Sequence, residues 1–212
     1  MVSDIDREGV AKAYERWAPI YDLVFGKVFD HGRQSTIAEA DRIGGRVLDV
    51  GVCTGLSLSD YSRTVKLCGV DISEPMLRKA QSRVRALGLA NVETLAVMDA
   101  KNLAFADSSF DAVVAQYVIT AVPDPEAALD DFIRVLKPGG ELILVNHIGA
   151  ERGPRRAFEL AFAPLARRLG WRPEFPWARL VAWQKKHRSV SLAERRSMPP
   201  MGHFSLIRYR KS

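Results

Sequence analysis

The sequence predicts an α/β fold, a doubly wound sheet that is mostly parallel, with a C-terminal antiparallel strand and an N-terminal helical cap. After Gly44-Gly45, short apolar runs alternate with amphipathic stretches whose apolar residues recur at helical spacing. Strands that alternate with helices form parallel βαβ units with right-handed crossovers, which place helices on both faces of the sheet. The length of 212 residues suits one domain. Such a sheet binds its ligand outside the carboxyl ends of its strands, so we expect the functional site there.

Residues 1–43 are the predicted N-terminal cap. Tyr14, Trp17 and Tyr21 recur at near-helical spacing, and Pro19 interrupts the pattern. The apolar side of this segment can dock on a membrane or pack on the sheet, and the spacing favours neither. We divide the chain into a helical cap or membrane-docking segment, 1–43, and a main domain, 44–212.

Five apolar runs are the predicted strands, and two amphipathic segments are the helices between them. Gly88 can end the first helix, and Asp124 can cap the second with Pro125 in its first turn. The predicted strands cover residues 46–51, 66–72, 92–100, 110–119 and 141–148, and the helices cover 74–88 and 125–137.

The C-terminal part begins with a predicted basic amphipathic insertion, residues 150–190, and ends in a strand near 203–209. Within the insertion, a helix over 154–170 places Phe and Leu side chains in one stripe, flanked by four arginines. This helix can lie at a membrane interface or pack on the sheet.

The net charge of +6 is unevenly distributed. From Ala150 onward there are 15 Lys and Arg against 4 Asp and Glu, a balance of +11, whereas the residues before it have a balance of −5. A basic C-terminal third that follows an acidic N-terminal part indicates that the basic part faces an anionic partner. Lipid headgroups, nucleic acid and an acidic protein all remain open on charge alone.

Several classes of protein are disfavoured by composition. The N-terminal residues include acids and lack the apolar core of a signal peptide, and no apolar stretch reaches the about 20 residues of a membrane helix. Cys53 and Cys68 are too few for a disulfide framework. Neither cysteines nor histidines have metal-ligand spacing, so we expect no metal. Because the sequence shows neither a signal peptide nor a membrane-spanning stretch, we expect a cytoplasmic protein.

The clearest motif is LDVGVCTGL, residues 48–56. A strand carries Asp49 into a tight turn with Gly51 and Gly55, and glycine tolerates positive φ and lets a ligand approach the backbone. Dinucleotide-binding proteins also have a glycine-rich turn after a strand, so the motif alone does not identify the ligand. A dehydrogenase is disfavoured because the turn lacks the third glycine of the GxGxxG spacing.

Further polar residues follow the next strands. Asp71 ends the second predicted strand, 22 residues after Asp49, where a carboxylate can accept the hydroxyls of a ribose. Asp99 ends the third strand beside Ala100, and Gln116 with Tyr117 lies near the end of the fourth. We expect the three carboxylates to converge at one rim of the sheet.

Four segments resemble the motifs of class I S-adenosylmethionine-dependent methyltransferases, which have a Rossmann-like fold. The likeness covers about residues 35–150 and rests on LDVGVCTGL, GVDISEPML, MDAKNLAFADSSFDAV and RVLKPGGELILV. It implies S-adenosylmethionine as the cofactor, with S-adenosylhomocysteine as its product. The residues so assigned are Asp49, Gly51 and Gly55 at the methionine end, Asp71 at the ribose, Asp99 and Ala100 at the adenine, and Tyr21, Ile72, Met76 and Gln116 around them.

One residue departs from this family pattern. Methyltransferases of this class usually have glycine where this chain has Cys53. The resemblance therefore implies that the Cys53 side chain points away from the cofactor or that the turn shifts.

The flanking segments resemble the soluble bacterial phosphatidylethanolamine N-methyltransferases. The similar stretches are residues 14–33, 144–151, 169–177 and 198–211, so that with the core the likeness covers nearly the whole chain. It implies transfer of methyl groups to the ethanolamine nitrogen, successively, toward phosphatidylcholine. The implied partners are a phospholipid and an anionic membrane surface, with neither nucleic acid nor metal. The implied location is cytoplasmic, peripherally associated with the inner membrane.

The candidates for the catalytic, headgroup side are Tyr14, Tyr21, Tyr117 and His147. His147, at the end of the fifth predicted strand, could accept the amine proton or hold a phosphate when charged. Tyrosines could accept hydrogen bonds from the amine and offer π faces to a methylated cation. Alternatively, Tyr14 and Tyr21 cover the cofactor, and His147 is structural.

Three other functions stay open from the sequence. Quinone-biosynthesis C-methyltransferases share a feature like Tyr21-Asp22. A peripheral module that binds cofactor without catalysis has only Cys53 in its support. A nucleic-acid methyltransferase would suit the basic tail, but no NPPY-type motif follows the fourth strand.

Overall fold

The computed structural model describes residues 29–149, 153, 156, 161, 175–199 and 202–212. Its helices are α1 (Asp30–Ile43), α2 (Glu74–Ala86), α3 (Pro125–Val135) and α4 (Trp177–Lys186), with a short 3-10 helix at Ser57–Ser59. Its strands are β1 (Arg46–Val50), β2 (Lys66–Asp71), β3 (Val92–Val97), β4 (Phe110–Gln116), β5 (Leu136–His147), β6 (Val190–Met198) and β7 (Phe204–Lys211).

The strands form one sheet in the order β3-β2-β1-β4-β5-β7-β6. β1 to β5 pair in parallel, whereas β7 pairs antiparallel with both β5 and β6. The order runs outward in both directions from β1 and β4, so the sheet has a switch point between them, where such folds bind ligands. The predicted α/β class is confirmed.

Helices cover both faces of the sheet. One apolar core contains Leu48 and Val50 of β1, Phe132 of α3 and Trp183 of α4. The other contains Val47 of β1 together with residues of α1 and α2. Side chains that alternate along β1 thus enter different cores, as expected for a strand buried on both faces.

The residues predicted to begin α3 and to end α2 have these roles in the structure. The Asp124 side chain accepts a hydrogen bond from the Ala127 N–H at 3.1 Å, and Pro125 occupies the first turn. Gly88, with φ +57°, lies two residues beyond the end of α2.

Some predicted boundaries were wrong. β4 ends at Gln116 rather than residue 119, because Tyr117 has φ +62° and cannot continue the strand. α3 ends at Val135, and β5 begins at Leu136 and includes the Pro138-Gly139-Gly140 segment, with an irregular register against β4.

The C-terminal part contains two antiparallel strands where one was predicted. β6 is the additional strand, and of its nine residues only Val190 and Met198 are buried. An edge strand with so many polar exposed residues lacks the apolar pattern that indicates a strand in sequence. α4 was also not predicted as a separate helix.

The two segments predicted to dock on membranes fall largely outside the described residues. Tyr14, Trp17 and Tyr21 all lie there, as do nearly all residues of the predicted helix 154–170. Of the predicted cap, α1 is described, and it packs against β4 and β5. Among the residues that the structure describes, no helix is long and apolar enough to cross a membrane.

A buried ionic cluster joins α1 to the C-terminal strands. Glu141 of β5 is 1% exposed, and its carboxylate accepts hydrogen bonds from Arg208 at 3.0 Å and Arg210 at 2.8 Å. Arg42 of α1 lies 3.2 Å from the same carboxylate. Burial raises the pKa of Glu141, but these arginines outweigh burial and the net pKa is lowered.

Candidate functional site

A cavity opens at the carboxyl ends of β1, β2 and β4, at the switch point of the sheet. It spans about 930 Å³, including space open to solvent. It is lined by most of the residues predicted to bind the cofactor, namely Gly51, Asp71, Ile72, Met76, Asp99, Ala100 and Gln116, and also by Cys53 and Tyr117.

Asp71 is the best-anchored carboxylate of the cavity. One oxygen accepts the Ser73 N–H and the other the Cys53 N–H, each at 2.8 Å. Burial raises the pKa of Asp71, although these N–H groups lower it in part. A carboxylate oxygen can accept more than one hydrogen bond, so Asp71 can still receive the hydroxyls of a ligand.

The conformation of the turn after β1 requires two of its glycines. Gly51 has φ +75°, and a β-carbon there would collide with Val118 on the opposite wall of the cavity. Gly55 has φ +77°, and a β-carbon there would lie 2.9 Å from that of Ala80. Both positions require glycine, for a left-handed backbone and for close packing.

Cys53 occupies the same turn at φ +53°, in the left-handed region that non-glycine residues rarely adopt. Its sulfur lies 3.8 Å from that of Met76. The turn keeps a conformation suited to glycine, and the cysteine accommodates it with a strained backbone.

Asp49 does not meet the expectation of three converging carboxylates. It is 1% exposed and is not among the residues described as lining the cavity. Its carboxylate accepts hydrogen bonds from the Ser57 hydroxyl at 2.8 Å and the Tyr61 hydroxyl at 3.2 Å. Asp49 precedes the last residue of β1 and faces α1 and α2, so it supports the turn from below. Gly55 likewise packs against α2 and does not line the cavity.

Burial raises the pKa of Asp49 to about 7, against the hydrogen bonds from Ser57 and Tyr61 that lower it. The nearby charge of Asp71 raises it further. This carboxyl group therefore titrates near neutral pH.

Asp99 and Gln116 lie on opposite sides of the cavity. The Asp99 carboxylate accepts the Lys101 N–H at 3.2 Å, which shapes the turn after β3. The Gln116 amide donates to the Thr36 hydroxyl of α1 at 2.8 Å. The contact with Thr36 ties α1 to the site and was not predicted.

Tyr117 forms a wall of the cavity in a strained conformation. It stacks on Phe29 with ring centroids 4.1 Å apart, and its hydroxyl donates to the Phe29 carbonyl at 3.2 Å. A side chain at Gly32 would collide with this hydroxyl. Burial raises the pKa of Tyr117 above its ordinary value, so the phenol stays protonated at neutral pH.

His147 ends β5 but is not among the described residues that line the cavity. It is buried beside His203, with ring centroids 6.1 Å apart, and beside Phe204 at 6.3 Å. Of the four catalytic candidates, Tyr117 is thus at the cavity, His147 lies apart from it, and Tyr14 and Tyr21 are outside the described residues.

A second, smaller cavity of about 460 Å³, again including open space, adjoins the first. The two share Gly51, Cys53, Gln116 and Tyr117. The second extends to Phe29, Arg33, Thr54, Leu56 and Ser57. Sequence reasoning missed Phe29 and Arg33, because helix packing rather than a local motif brings them here.

The first cavity fits an adenosyl group. Gly51 leaves room that a β-carbon would fill, Asp71 offers a carboxylate for hydroxyl donors, and Met76 with other apolar side chains provides walls for a flat ring. In the described part of the chain, no cluster of three or more His, Cys, Asp or Glu could hold a metal ion.

Comparisons with known proteins agree with this geometry. A family profile described as a methyltransferase domain matches residues 48–144. A phosphatidylethanolamine N-methyltransferase of Cereibacter sphaeroides is 40% identical, over 98% of this chain and 100% of that protein. A demethylmenaquinone methyltransferase of Thermobifida fusca is 33% identical, over 82% of this chain and 72% of that protein.

Among solved structures, a SAM-dependent methyltransferase from Aquifex aeolicus has the same fold. The TM-score is 0.66 at 17% identity, and the match covers 94% of this chain and 97% of that one.

Proposed function

The chain belongs to the S-adenosylmethionine-dependent methyltransferases, and from that premise we propose that it methylates the amino group of phosphatidylethanolamine, successively, toward phosphatidylcholine. The observation that carries the proposal is 40% identity to a phosphatidylethanolamine N-methyltransferase over essentially both full chains. Identity of this extent includes the flanking segments as well as the cofactor-binding core, whereas the fold alone would not support a lipid substrate.

We assign the donor to the first cavity. Asp71 would accept the ribose hydroxyls, and Asp99 with Ala100 would bind the adenine edge. Gly51, Ile72, Met76 and Gln116 would line the site, and Tyr21 would cover it. Asp49 and Gly55 would act indirectly by holding the turn.

When bound, the donor would supply a methyl carbon on a positively charged sulfur. An amine that has lost its ammonium proton would bond to that carbon as the carbon–sulfur bond breaks, and S-adenosylhomocysteine would leave. The residues of this chain contribute positioning and a water-poor, preorganised environment. Tyr117 forms the wall common to both cavities, and its protonated hydroxyl already donates to the Phe29 carbonyl. Toward a substrate it would therefore accept a hydrogen bond or offer its ring face. Tyr14, Tyr21, Tyr117 and His147 remain our candidates for the headgroup side, with His147 acting only if the substrate reaches the end of β5.

We propose that the protein works in the cytoplasm, peripherally bound to the anionic inner face of the inner membrane. The basic charge of residues 150–212 supports this, since each basic residue near an anionic surface contributes about 1 kcal/mol. At the described end of this region, the Arg195 guanidinium lies 4.1 Å from the Trp177 ring centre. Segments 1–43 and 150–190 would form the docking surface of a 44–212 methyltransferase domain.

The test is lipid analysis after expression in a bacterial host that lacks phosphatidylcholine. We expect monomethylated, dimethylated and trimethylated phosphatidylethanolamine by mass spectrometry. Tyr21→Phe and His147→Ala test the headgroup candidates in the same host, with Asp41→Asn as a control, since the Asp41 carboxylate accepts the Ser62 N–H away from the cavity.

The second candidate is C-methylation of a quinone precursor, favoured by the 33% identity to the demethylmenaquinone methyltransferase. A methylated quinone with unchanged phospholipids in the same extracts would replace the lipid proposal with this one.

A further inference from the structure

The second cavity contains a cation that none of the assignments above uses. Arg33 is the only charged side chain among the described residues that line it. The other lining residues are apolar, small or neutral polar groups, so an anion in this cavity has one charged partner within the described chain.

Arg33 is held in place by two carboxylates. Its side chain is 15% exposed and forms an ion pair with Asp30, and its Nε lies 3.4 Å from an Asp60 oxygen. Asp60 also accepts a hydrogen bond from the Gln34 amide at 2.9 Å. These contacts orient the guanidinium but do not use all of its five N–H donors.

Asp30 does not depend on Arg33. Its side chain is 49% exposed, and it lies in the first turn of α1, where the helix dipole stabilises an acid. A substrate anion can therefore take the place of Asp30 at the guanidinium while Asp30 turns to water. Carboxylates and phosphates suit this planar group, since each can accept two parallel hydrogen bonds.

The position of Arg33 limits which anion it can meet. If the adenosyl group fills the first cavity, the reacting sulfur and methyl lie toward the wall that both cavities share. Two anionic groups occur near this centre, the carboxylate at the amino-acid end of the donor and the phosphodiester of the lipid headgroup. Both are oxyanions a few bonds from the reacting atoms.

We propose that Arg33 is an anion-binding residue of the active site, which anchors an oxyanion of one of the two substrates in the second cavity. The proposal rests on the proposed function for the identity of those substrates. Removing a charge-assisted bidentate contact of this kind weakens binding about tenfold or more.

The test compares Arg33→Gln with Arg33→Lys and with Arg42→Gln. Arg42 is a matched control, because it lies on the same helix and pairs with two carboxylates, Glu39 and Glu141, but does not line either cavity. Calorimetry measures binding of S-adenosylhomocysteine and of 5′-methylthioadenosine, which lacks the amino-acid end. Kinetics on mixed vesicles measure the phosphatidylethanolamine concentration that gives half-maximal rate.

Two results support the proposal and identify the anion. If Arg33 holds the donor carboxylate, Arg33→Gln weakens S-adenosylhomocysteine about tenfold and leaves 5′-methylthioadenosine unchanged. If it holds the phosphate, both nucleosides bind normally and the half-saturating lipid concentration rises about tenfold. In either case we expect Arg33→Lys to weaken binding less than Arg33→Gln does. Arg42→Gln should bind both substrates as the wild type does.

The proposal is overturned if neither quantity changes, or if both nucleosides weaken equally, which would indicate a distorted cavity. Should the wild-type protein not methylate the lipid, the proposed function fails. Calorimetry then decides alone, with unchanged S-adenosylhomocysteine affinity in Arg33→Gln overturning the role of Arg33.

Discussion

Buried carboxylates lie at both ends of the sheet, and the two ends satisfy them differently. At the carboxyl end, Asp49 and Asp71 accept hydrogen bonds from hydroxyl and backbone N–H groups, and burial raises the pKa of both. At the amino end, Glu141 is as deeply buried as Asp49 but meets three arginines, and its pKa is lowered.

The carboxylates at the two ends therefore have different roles, one in ligand binding and the other in the stability of the fold. Asp71 lines the cavity and meets only neutral donors, so it can accept further hydrogen bonds from a ligand, whereas Asp49 holds the turn. A carboxylate surrounded by arginines is already satisfied and fastens α1, β5 and β7 together. The carboxyl end also contains the strained residues Cys53 and Tyr117, so backbone strain lies at the same end of the sheet as the cavity.

The largest effect is expected at the amino end. Glu141→Gln leaves three arginines without their buried partner and should lower the free energy of unfolding by about 3 kcal/mol. Urea denaturation measures this loss. Affinity for S-adenosylhomocysteine, measured at a temperature where the variant is folded, should change less than about twofold. A variant as stable as the wild type would mean that the cluster contributes nothing net.

Asp71→Asn should act in the opposite way. It replaces a charged acceptor of ribose hydroxyls by a neutral one, and we expect about 100-fold weaker S-adenosylhomocysteine binding. Calorimetry against Asp41→Asn is the check. Equal affinity in the two variants would remove Asp71 from the ribose site.

The pH dependence of stability should have opposite signs at the two ends. Because the pKa of Asp49 rises from an ordinary 3.8 to about 7 on folding, its contribution is present below 3.8 and is lost as pH rises to about 7. The lowered pKa of Glu141 gives a contribution that is present above its ordinary value of 4.5 and lost as pH falls below it.

Asp49→Asn should therefore gain stability relative to the wild type between pH 4 and pH 7, on the order of 2 kcal/mol. Unfolding free energies across that range measure the gain. Parallel curves for the two proteins would show that Asp49 has the same pKa folded and unfolded.

The smallest effect concerns the turn. Cys53→Gly relieves a left-handed cysteine but makes the unfolded chain more flexible, so we expect a net gain of only about 0.5 kcal/mol. Urea denaturation at high precision measures it. A loss of stability would instead show that the sulfur contact with Met76 outweighs the strain.

The fold and half of the site could be predicted because their signals are local. Apolar runs marked the parallel strands, and Asp71 with Asp99 was placed at the cavity because each follows such a run. The face of the sheet on which the Asp49 side chain lies could not be predicted. β1 is buried on both faces, so its apolar residues do not alternate with polar ones.

Other features have no local signal at all. Nothing in the sequence around Tyr117 indicates a positive φ, and Arg33 reaches the second cavity through the packing of a whole helix. β6 was not predicted because an exposed edge strand has a polar sequence similar to that of a loop.

The position of β7 between β5 and β6 has a consequence for how the protein is made. β6 leaves the ribosome first, yet its only partner strand within the described sheet is β7, which follows it in sequence. Until β7 is synthesised, β6 lacks the strand with which it pairs in the described sheet. Completing the C-terminal edge of the sheet therefore requires β7 to insert between β5 and β6 after both of these strands have been synthesised.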